Sequence, residues 1–186
     1  LPEPMVTKLL VANRGEIARR IFRTCAEMGI ATVAVYSTAD RDQPHVRDAD
    51  EAVELPGSTP AETYLDSPAV LAAALATGAD AVHPGYGFLS ENASFAQAVE
   101  AARITWIGPG TEAVRLMGSK VESRKLMEAS GVPVLPAAND LEGARSLRFP
   151  VLVKASAGGG GKGMRIVADP SDLEEAAAAA SREAGR

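Results

Sequence analysis

The chain has 186 residues, of which 46% are hydrophobic and 23% are charged, a balance typical of a globular protein that buries a core. Its net charge of −5 argues against nonspecific binding to nucleic acid or to an anionic membrane surface, and no apolar run approaches the roughly 20 residues that cross a bilayer. The single cysteine, Cys25, cannot form an intramolecular disulfide, so the sequence predicts a cytoplasmic protein.

The first hundred residues alternate short apolar runs with segments of helical periodicity. This alternation predicts an α/β fold in which helices cover a parallel sheet, and in such sheets ligands bind beyond the carboxyl ends of the strands. Within the first helix we expect Ile17, Ile21 and Met28 to mark the apolar face. The predicted strands are 8–12, 31–36, 51–55, 81–83 and 104–107, and the predicted helices are 16–28, 66–78 and 92–102.

The pattern changes after Gly110, and a last helix opens with a capping box at Ser171. Because no strand follows that helix, we expect a second sheet that is incomplete. Between these points the sequence predicts two helical stretches, 111–117 and 121–130, and two short strands, 151–154 and 164–167.

A glycine-rich loop, residues 156–163, joins these two strands. One interpretation is a flexible linker, but linkers are seldom held between strands as apolar as these. Glycines without a Cβ let backbone N–H groups approach phosphate oxygens, so the pattern favours a lid over a bound phosphate. It is not a Walker A loop, which requires glycine at the position of Ser156, Ser or Thr at that of Gly163, and a following helix.

Two lysines bear on the phosphate hypothesis. Lys154 ends the strand before the loop, where its ammonium group either reaches a phosphate or marks the solvated end of the strand. Lys120 begins a predicted helix, where a cation is unfavourable against the helix dipole unless an anion lies nearby. Beside the glycine-rich loop, we favour the phosphate role.

Two further motifs follow predicted strand ends. The turn at Asn13, Arg14 and Gly15 lacks the G-x-G-x-x-G spacing of a nicotinamide site, so we expect it to fix a loop and shape a domain surface. The segment from His83 to Phe88 either lines the pocket of a flat ligand or forms a tight turn. Its histidine fits neither zinc spacing nor a serine hydrolase pattern, so no metal site is predicted.

Taken together, these segments resemble the biotin carboxylase family. Six motifs occur in the family's order between Leu10 and Val167, and several are long, which makes the resemblance specific. The motifs are V-A-N-R-G-E-I-A at 11–18, A-D-R-D at 39–42, H-P-G-Y-G-F-L-S-E-N at 83–92, I-G-P at 107–109, M-G-S-K at 117–120 and K-A-S-A-G-G-G-G-K-G-M at 154–164. The resemblance implies a Rossmann-like domain at 1–108, a helical linker at 109–134 and a truncated part of an ATP-grasp domain at 135–186.

The resemblance also implies a chemistry. Such enzymes activate bicarbonate with ATP and Mg²⁺, through carboxyphosphate, and carboxylate N1′ of biotin on a carrier domain. Tyr86 and Gly87 would then lie near the biotin pocket, and Met164 near the adenine. The implied ATP-binding residues are Lys120, Lys154, Gly158, Gly159, Gly160, Gly161, Gly163 and Met164.

The family's Mg²⁺ ligands and catalytic residues have no counterpart among these 186 residues. We therefore predict no catalytic residue here and expect the chain alone to be inactive. The implied partners are the biotin carrier domain, a carboxyltransferase component and a second copy of the chain in a homodimer. Two alternatives stay open: another ATP-grasp ligase, of carbamoyl-phosphate or amino-acid type, and a noncatalytic dimerisation or docking module. The residues do not determine the final acceptor, which in this family is an acyl-CoA, pyruvate or urea.

Overall fold

The computed structural model describes residues 6–118, 120–154 and 163–184. It divides the chain into two compact units, Leu1–Ser119 and Lys120–Arg186. In the first unit the strands are β1 (Lys8–Val11), β2 (Ala31–Ser37), β3 (Glu51–Leu55), β4 (Ala81–His83) and β5 (Thr105–Trp106), and the helices are α1 (Gly15–Met28), α2 (Pro44–Asp48), α3 (Ser67–Thr77), α4 (Ala93–Ala101) and α5 (Thr111–Gly118). The second unit contains α6 (Lys120–Ala129), α7 (Leu141–Arg145), β6 (Val151–Lys154), β7 (Met164–Val167) and α8 (Leu173–Ala184).

The five strands of the first unit form one sheet in the order β3-β2-β1-β4-β5. Each neighbouring pair is parallel, with β1 at the centre between β2 and β4. Parallel neighbours need crossover connections, and helices supply them here. The sheet confirms the predicted α/β class, whereas the predicted boundaries at 108 and 134 stay predictions.

Both faces of this sheet are buried, which explains why its central strands carry consecutive apolar residues, such as Leu9–Val11 in β1 and Val33–Val35 in β2. In β1, Leu10 belongs to a core that includes Val70 of α3 and Phe95 of α4. Its neighbours Leu9 and Val11 belong to a second core that includes residues of α1. The sheet therefore lies between two helical layers, with α1 on one side and α3 and α4 on the other.

Helix α1 buries a face that only partly matches the one that the sequence predicts. Its buried residues are Ala18, Phe22 and Cys25, whereas Met28 is 67% exposed. Ile21 packs against the same core and Ile17 is half-buried, so the expected apolar face is wrong only for Met28. The small side chains of Ala18 and Cys25 fit against the sheet, and hydrophobicity alone ranks alanine too low to reveal that contact.

The helix ends follow local signals, with one exception. Gly29 ends α1 with a left-handed φ of 71°, and Asp66 caps α3 by accepting the N–H of Ala69 at 3.1 Å. The predicted capping box at Ser171 is wrong. Asp169 instead accepts hydrogen bonds from the backbone N–H and the hydroxyl of Ser171, and a 3-10 turn precedes α8.

The sequence does not predict three short helical elements: the 3-10 turn Thr38–Asp40, α2 and α7. The two helices have five residues each, which is too short for a hydrophobic period to show. In the described ranges of the chain, no helix is both long and apolar enough to span a membrane.

The second unit is built on the antiparallel hairpin of β6 and β7, against which α8 packs. The register pairs Val151 with Val167 and Lys154 with Met164. Both strands have the bounds that the sequence predicts.

Candidate functional site

The carboxyl ends of the central strands β1 and β4 lie side by side. The helix after β1 packs on one face of the sheet and the helix after β4 on the other, which makes this the switch point where open α/β sheets bind ligands. An open pocket of about 400 Å³ lies between the two loops. Its lining comprises Asn13 and Arg14 from the first loop, Gly15 and Ile17 from the first turn of α1, and Tyr86, Gly87 and Phe88 from the second loop.

Asn13 ties the two loops together. It is 3% exposed, and its Nδ2 donates hydrogen bonds to the carbonyl oxygens of Pro84 and Tyr86, both at 2.8 Å. Its Oδ1 accepts the backbone N–H of Arg14 at 2.9 Å. One side-chain amide therefore fixes the backbones of two segments that are 71 residues apart in sequence.

Arg14 contacts a buried cluster, a role that the expectation of a surface-shaping turn does not include. Its Nη1 donates to Oδ2 of Asp40 at 2.7 Å, and its guanidinium lies over the rings of Tyr64 and Phe88, with Cζ 5.2 and 5.7 Å from their centroids. Those two rings stack with their centroids 5.1 Å apart. The same Asp40 oxygen accepts the hydroxyls of Tyr64 at 2.7 Å and Ser37 at 2.9 Å. We call these five residues the Arg14 cluster.

Three donors on one carboxylate oxygen fix the protonation of this cluster. Burial raises the pKa of Asp40, but the hydrogen bonds from Tyr64, Arg14 and Ser37 outweigh burial and hold that pKa below its ordinary value. Burial, with the hydrogen bond to Asp40, raises the pKa of Tyr64 to about 12. At neutral pH the cluster therefore contains an ionised carboxylate, a guanidinium and a neutral phenol.

His83, the last residue of β4, makes a hydrogen bond within its own turn. Its Nδ1 accepts the N–H of Gly85 at 3.0 Å, which requires that nitrogen to be unprotonated. Burial lowers the pKa of His83, so the ring is neutral at pH 7 with its proton on Nε2. The segment thus forms a tight turn and also lines a pocket, and the two interpretations of its sequence are compatible.

Tyr86 and Gly87, the residues predicted near biotin, both line the switch-point pocket. Tyr86 is 62% exposed, and its hydroxyl donates to Oε2 of Glu16 at 3.3 Å. An aromatic ring with this exposure offers a flat apolar surface at the pocket wall. The role of both residues toward biotin stays a prediction.

In the second unit, the β6–β7 hairpin has one covered face and one open face. The antiparallel register places Leu152 opposite Ile166 and Lys154 opposite Met164, so these four side chains share a face. Leu152 is 49% exposed, Met164 45% and Ile166 78%. The other face carries Val167, which is 3% exposed, and packs against α8.

The open face of the hairpin has the chemistry of a nucleotide site. Its apolar side chains offer a surface for a purine ring, and Lys154 stands at the end of β6 as a cation for a phosphate. These residues fit the ATP arrangement that the resemblance implies. Their assignment to ATP stays a prediction.

The other predicted ATP-binding residues are only partly described. Lys120 is the first residue of α6, as predicted, but its side chain lies outside the described part of the structure. Gly163, directly before β7, is buried with a φ of 69°. Gly158, Gly159, Gly160 and Gly161 lie outside the described residues. Among the residues that are described, no group of three or more His, Cys, Asp or Glu side chains is placed to hold a metal ion.

A parallel-sheet unit with a switch-point pocket, followed by an open-faced hairpin, fits the class that the resemblance implies, an ATP-grasp protein with a preceding Rossmann-like domain. The family model for the N-terminal domain of biotin carboxylase matches residues 5–114. The model for the ATP-binding domain of the carbamoyl-phosphate synthase L chain matches residues 116–186. The chain belongs to the biotin carboxylase family.

Similar proteins support both halves of this assignment. The biotin carboxylase of Haemophilus influenzae is 51% identical over 97% of this chain and 42% of its own length. The mitochondrial alpha subunit of methylcrotonoyl-CoA carboxylase from Oryza sativa is 54% identical over 96% of this chain and 25% of its own length. The chain therefore spans less than half the length of these relatives.

Solved structures of the same family share the fold. A biotin carboxylase from Campylobacter jejuni, in a β,γ-ATP complex, superposes with a TM-score of 0.91 at 43% identity, over 97% of this chain and 42% of that one. The biotin carboxylase domain dimer of the 2-oxoglutarate carboxylase from Hydrogenobacter thermophilus, in complex with MgADP, ADP and bicarbonate, has a TM-score of 0.89 at 44% identity. That match covers 99% of this chain and 43% of the other.

Proposed function

We propose that the whole protein is the biotin carboxylase component of a biotin-dependent carboxylase, which uses ATP and bicarbonate to carboxylate biotin on a carrier domain. The observation that carries the proposal is the 51% identity with the H. influenzae biotin carboxylase along 97% of this chain. The match over residues 116–186 bears the name of a carbamoyl-phosphate synthase, so that part alone does not separate the two kinds of ligase. The match over 5–114 favours biotin carboxylase.

In this proposal, the open face of the hairpin binds ATP. Met164 and Leu152 pack against the adenine, and the Lys154 ammonium offsets negative charge on a phosphate as it is transferred. Lys120 and the backbone N–H groups of Gly158–Gly161 and Gly163 bind the remaining phosphate oxygens. Mg²⁺ would supply further charge neutralisation, as the MgADP complex of the H. thermophilus relative suggests.

The switch-point pocket of the first unit receives biotin against Tyr86 and Gly87. The biotin is carried on a partner domain, and a carboxyltransferase component uses the carboxylated product. A homodimer is proposed because the H. thermophilus relative forms one. An acyl-CoA is the favoured acceptor because the O. sativa relative is a methylcrotonoyl-CoA carboxylase subunit. We place the reaction in the cytoplasm because the single cysteine suits a reducing compartment.

The test of this function is ATP hydrolysis by the full-length protein in the presence of bicarbonate, with and without biotin. We expect biotin to stimulate hydrolysis and radiolabelled bicarbonate to be transferred to biotin. A rate of ATP hydrolysis that biotin leaves unchanged but that ammonia or an amino acid increases would favour a different ATP-grasp ligase. The 186 residues alone should transfer no label, because they span 42% of the length of the H. influenzae enzyme.

The role of Lys154 has its own test. Lys154→Ala in the full-length protein should raise the KM for ATP about tenfold or more and lower kcat, because a charged hydrogen bond contributes about 1.5–3 kcal/mol. Arg182→Ala is the matched control, since it removes one positive charge from the exposed side of α8, away from the open face. Equal kinetics for the two variants would remove Lys154 from the ATP site.

A further inference from the structure

We propose that Asn13 is a positioning residue for biotin: its side-chain amide sets the conformation of residues 84–88 and so places Tyr86 and Gly87 in the pocket. The proposal rests on the proposed function, because that function assigns the pocket to biotin. Asn13 belongs to the β1–α1 loop, and the segment it holds follows β4.

Residues 84–88 adopt a backbone that does not form readily by itself. Gly85, Gly87 and Phe88 have φ values of 67°, 65° and 43°, all in the left-handed region. Phe88 is the notable one, because residues with a side chain rarely adopt positive φ. A run of such conformations persists only where the surrounding structure holds it, and such runs concentrate at binding sites.

Different contacts hold the two ends of this segment. At its far end, the Phe88 ring stacks on Tyr64 and contacts the Arg14 guanidinium, and the Ser90 N–H donates to the Gly87 carbonyl at 2.9 Å. These contacts anchor the end of the turn and leave its first part to other partners.

In the first part of the segment, Asn13 supplies the anchor. Its Nδ2 donates to the carbonyls of Pro84 and Tyr86, and among the described residues these carbonyls have no other hydrogen-bond partner. A Cβ at Gly85 would lie 2.8 Å from the same Nδ2, so the amide also packs directly against the glycine.

The chemistry requires an amide at this position. Two carbonyl oxygens need two donors, and the N–H of Arg14 needs an acceptor, which Asn13 provides through Oδ1. An aspartate of the same shape keeps the acceptor but turns a carboxylate oxygen toward two carbonyl oxygens. The contact therefore depends on having donors on one side of the group and an acceptor on the other, more than on the size of the side chain.

The contact positions Tyr86, whose side chain has little packing of its own. Its ring is 62% exposed, so burial does not fix where the ring lies. Apart from the 3.3 Å hydrogen bond of its hydroxyl to Glu16, the place of the ring depends on its backbone, and Asn13 binds the carbonyl of that same residue. Loss of the anchor should therefore weaken a ligand of the pocket more than it affects ATP.

The test compares Asn13→Asp with Thr32→Val in the full-length protein. Thr32 is also 3% exposed, and its N–H and hydroxyl both donate to Oδ2 of Asp50 at 2.8 Å, at the start of β2 and away from the pocket. The two variants each lose buried hydrogen bonds in the same unit. Urea unfolding of both variants measures how much free energy of unfolding each substitution removes, so that effects on biotin can be separated from a general loss of stability.

Two readouts follow. Amide hydrogen exchange in the peptide that covers 84–90 should become about tenfold faster in Asn13→Asp than in Thr32→Val. The KM for free biotin should rise about tenfold or more in Asn13→Asp only, while the KM for ATP changes by less than about twofold in both variants. If Asn13→Asp does not fold, Asn13→Ala takes its place, since it removes the donors without adding charge.

The outcomes separate the two proposals. Equal exchange in the two variants, or faster exchange with an unchanged KM for biotin, overturns the positioning role. If biotin does not stimulate ATP hydrolysis by the wild-type protein, the proposed function is overturned. The comparison of hydrogen exchange rates then decides by itself whether Asn13 holds the conformation of residues 84–88.

Discussion

Replacing Asp40 by alanine tests whether the Arg14 cluster stabilises the first unit. The substitution removes the one oxygen that accepts hydrogen bonds from Arg14, Tyr64 and Ser37. The Tyr64 hydroxyl is buried and keeps only the bond it accepts from the Ser37 N–H at 2.9 Å. Its proton is left without the acceptor that it has in the native protein.

The size of the effect follows from these contacts. The two lost hydroxyl hydrogen bonds contribute about 0.5–1.5 kcal/mol each, with a further cost for the unsatisfied phenol. The ion pair adds at most about 1 kcal/mol, because the Arg14 side chain is 42% exposed to solvent. We expect Asp40→Ala to lower the free energy of unfolding by about 2–4 kcal/mol.

Trp106 provides the assay, because it is the single tryptophan of the chain and is buried in the first unit. Its fluorescence reports urea unfolding of that unit, and the midpoint should fall by about 1–3 M. The control is Glu54→Ala, which removes a half-exposed carboxylate bound to Arg41 and Thr38 and should lower the midpoint far less than Asp40→Ala does. Because the native pKa of Asp40 is lowered, its contribution is present above about pH 4 and is lost as the pH falls further. Similar midpoints for wild type and Asp40→Ala at pH 7 would refute this reasoning.

Three further predictions use the same or simpler assays. Burial lowers the pKa of His45, so the unfolded chain binds a proton at a higher pH than the folded chain, and the free energy of unfolding should fall as the pH drops below about 6.5. His45→Phe should reduce this dependence of the unfolding free energy on pH, measured by Trp106 fluorescence. An unchanged pH dependence would contradict the prediction. Gly29→Ala should lower the free energy of unfolding by about 1 kcal/mol, because the residue has a positive φ. Gly85→Ala should lower it by at least about 2 kcal/mol, because the new Cβ would also lie 2.8 Å from the Asn13 side chain. Equal losses for the two variants would argue against this close approach. Leu152→Ser should leave urea unfolding unchanged when it is followed by far-UV circular dichroism, which also reports the second unit, and should raise the KM for ATP in the full-length protein. A large stability loss would instead place Leu152 in a core.

The sequence predicts most of the elements because their signals are local. Glycines such as Gly29 end helices through their backbone freedom, and the apolar runs at β1–β4, β6 and β7 give strands at nearly the predicted bounds. The signals fail where an element is too short for a period, as in α2 and α7. They also fail where a small residue packs closely, as Ala18 does on α1.

The residues of the candidate sites also fall into those that the sequence predicts and those that only the structure reveals. Lys154 and Met164 are found from a motif that is continuous in sequence, and the alternation of a hairpin then places both on one face. The partners of Asn13 and Arg14 could not be found from the sequence. Asn13 reaches a segment 71 residues away, and Arg14 reaches Asp40, which lies 26 residues away in an unpredicted turn.

By itself, the sequence determined the α/β class, the strand and helix order and the family, because periodicity, turn residues and ordered motifs are properties of contiguous segments. Only the tertiary structure decided that β1 lies between β2 and β4, and hence that the Asn13 loop meets the loop that carries Tyr86. The physical reason is that strand order depends on how the two helical layers pack over the whole sheet. The side-chain hydrogen bonds across the switch point depend on that packing, because it brings the two loops together.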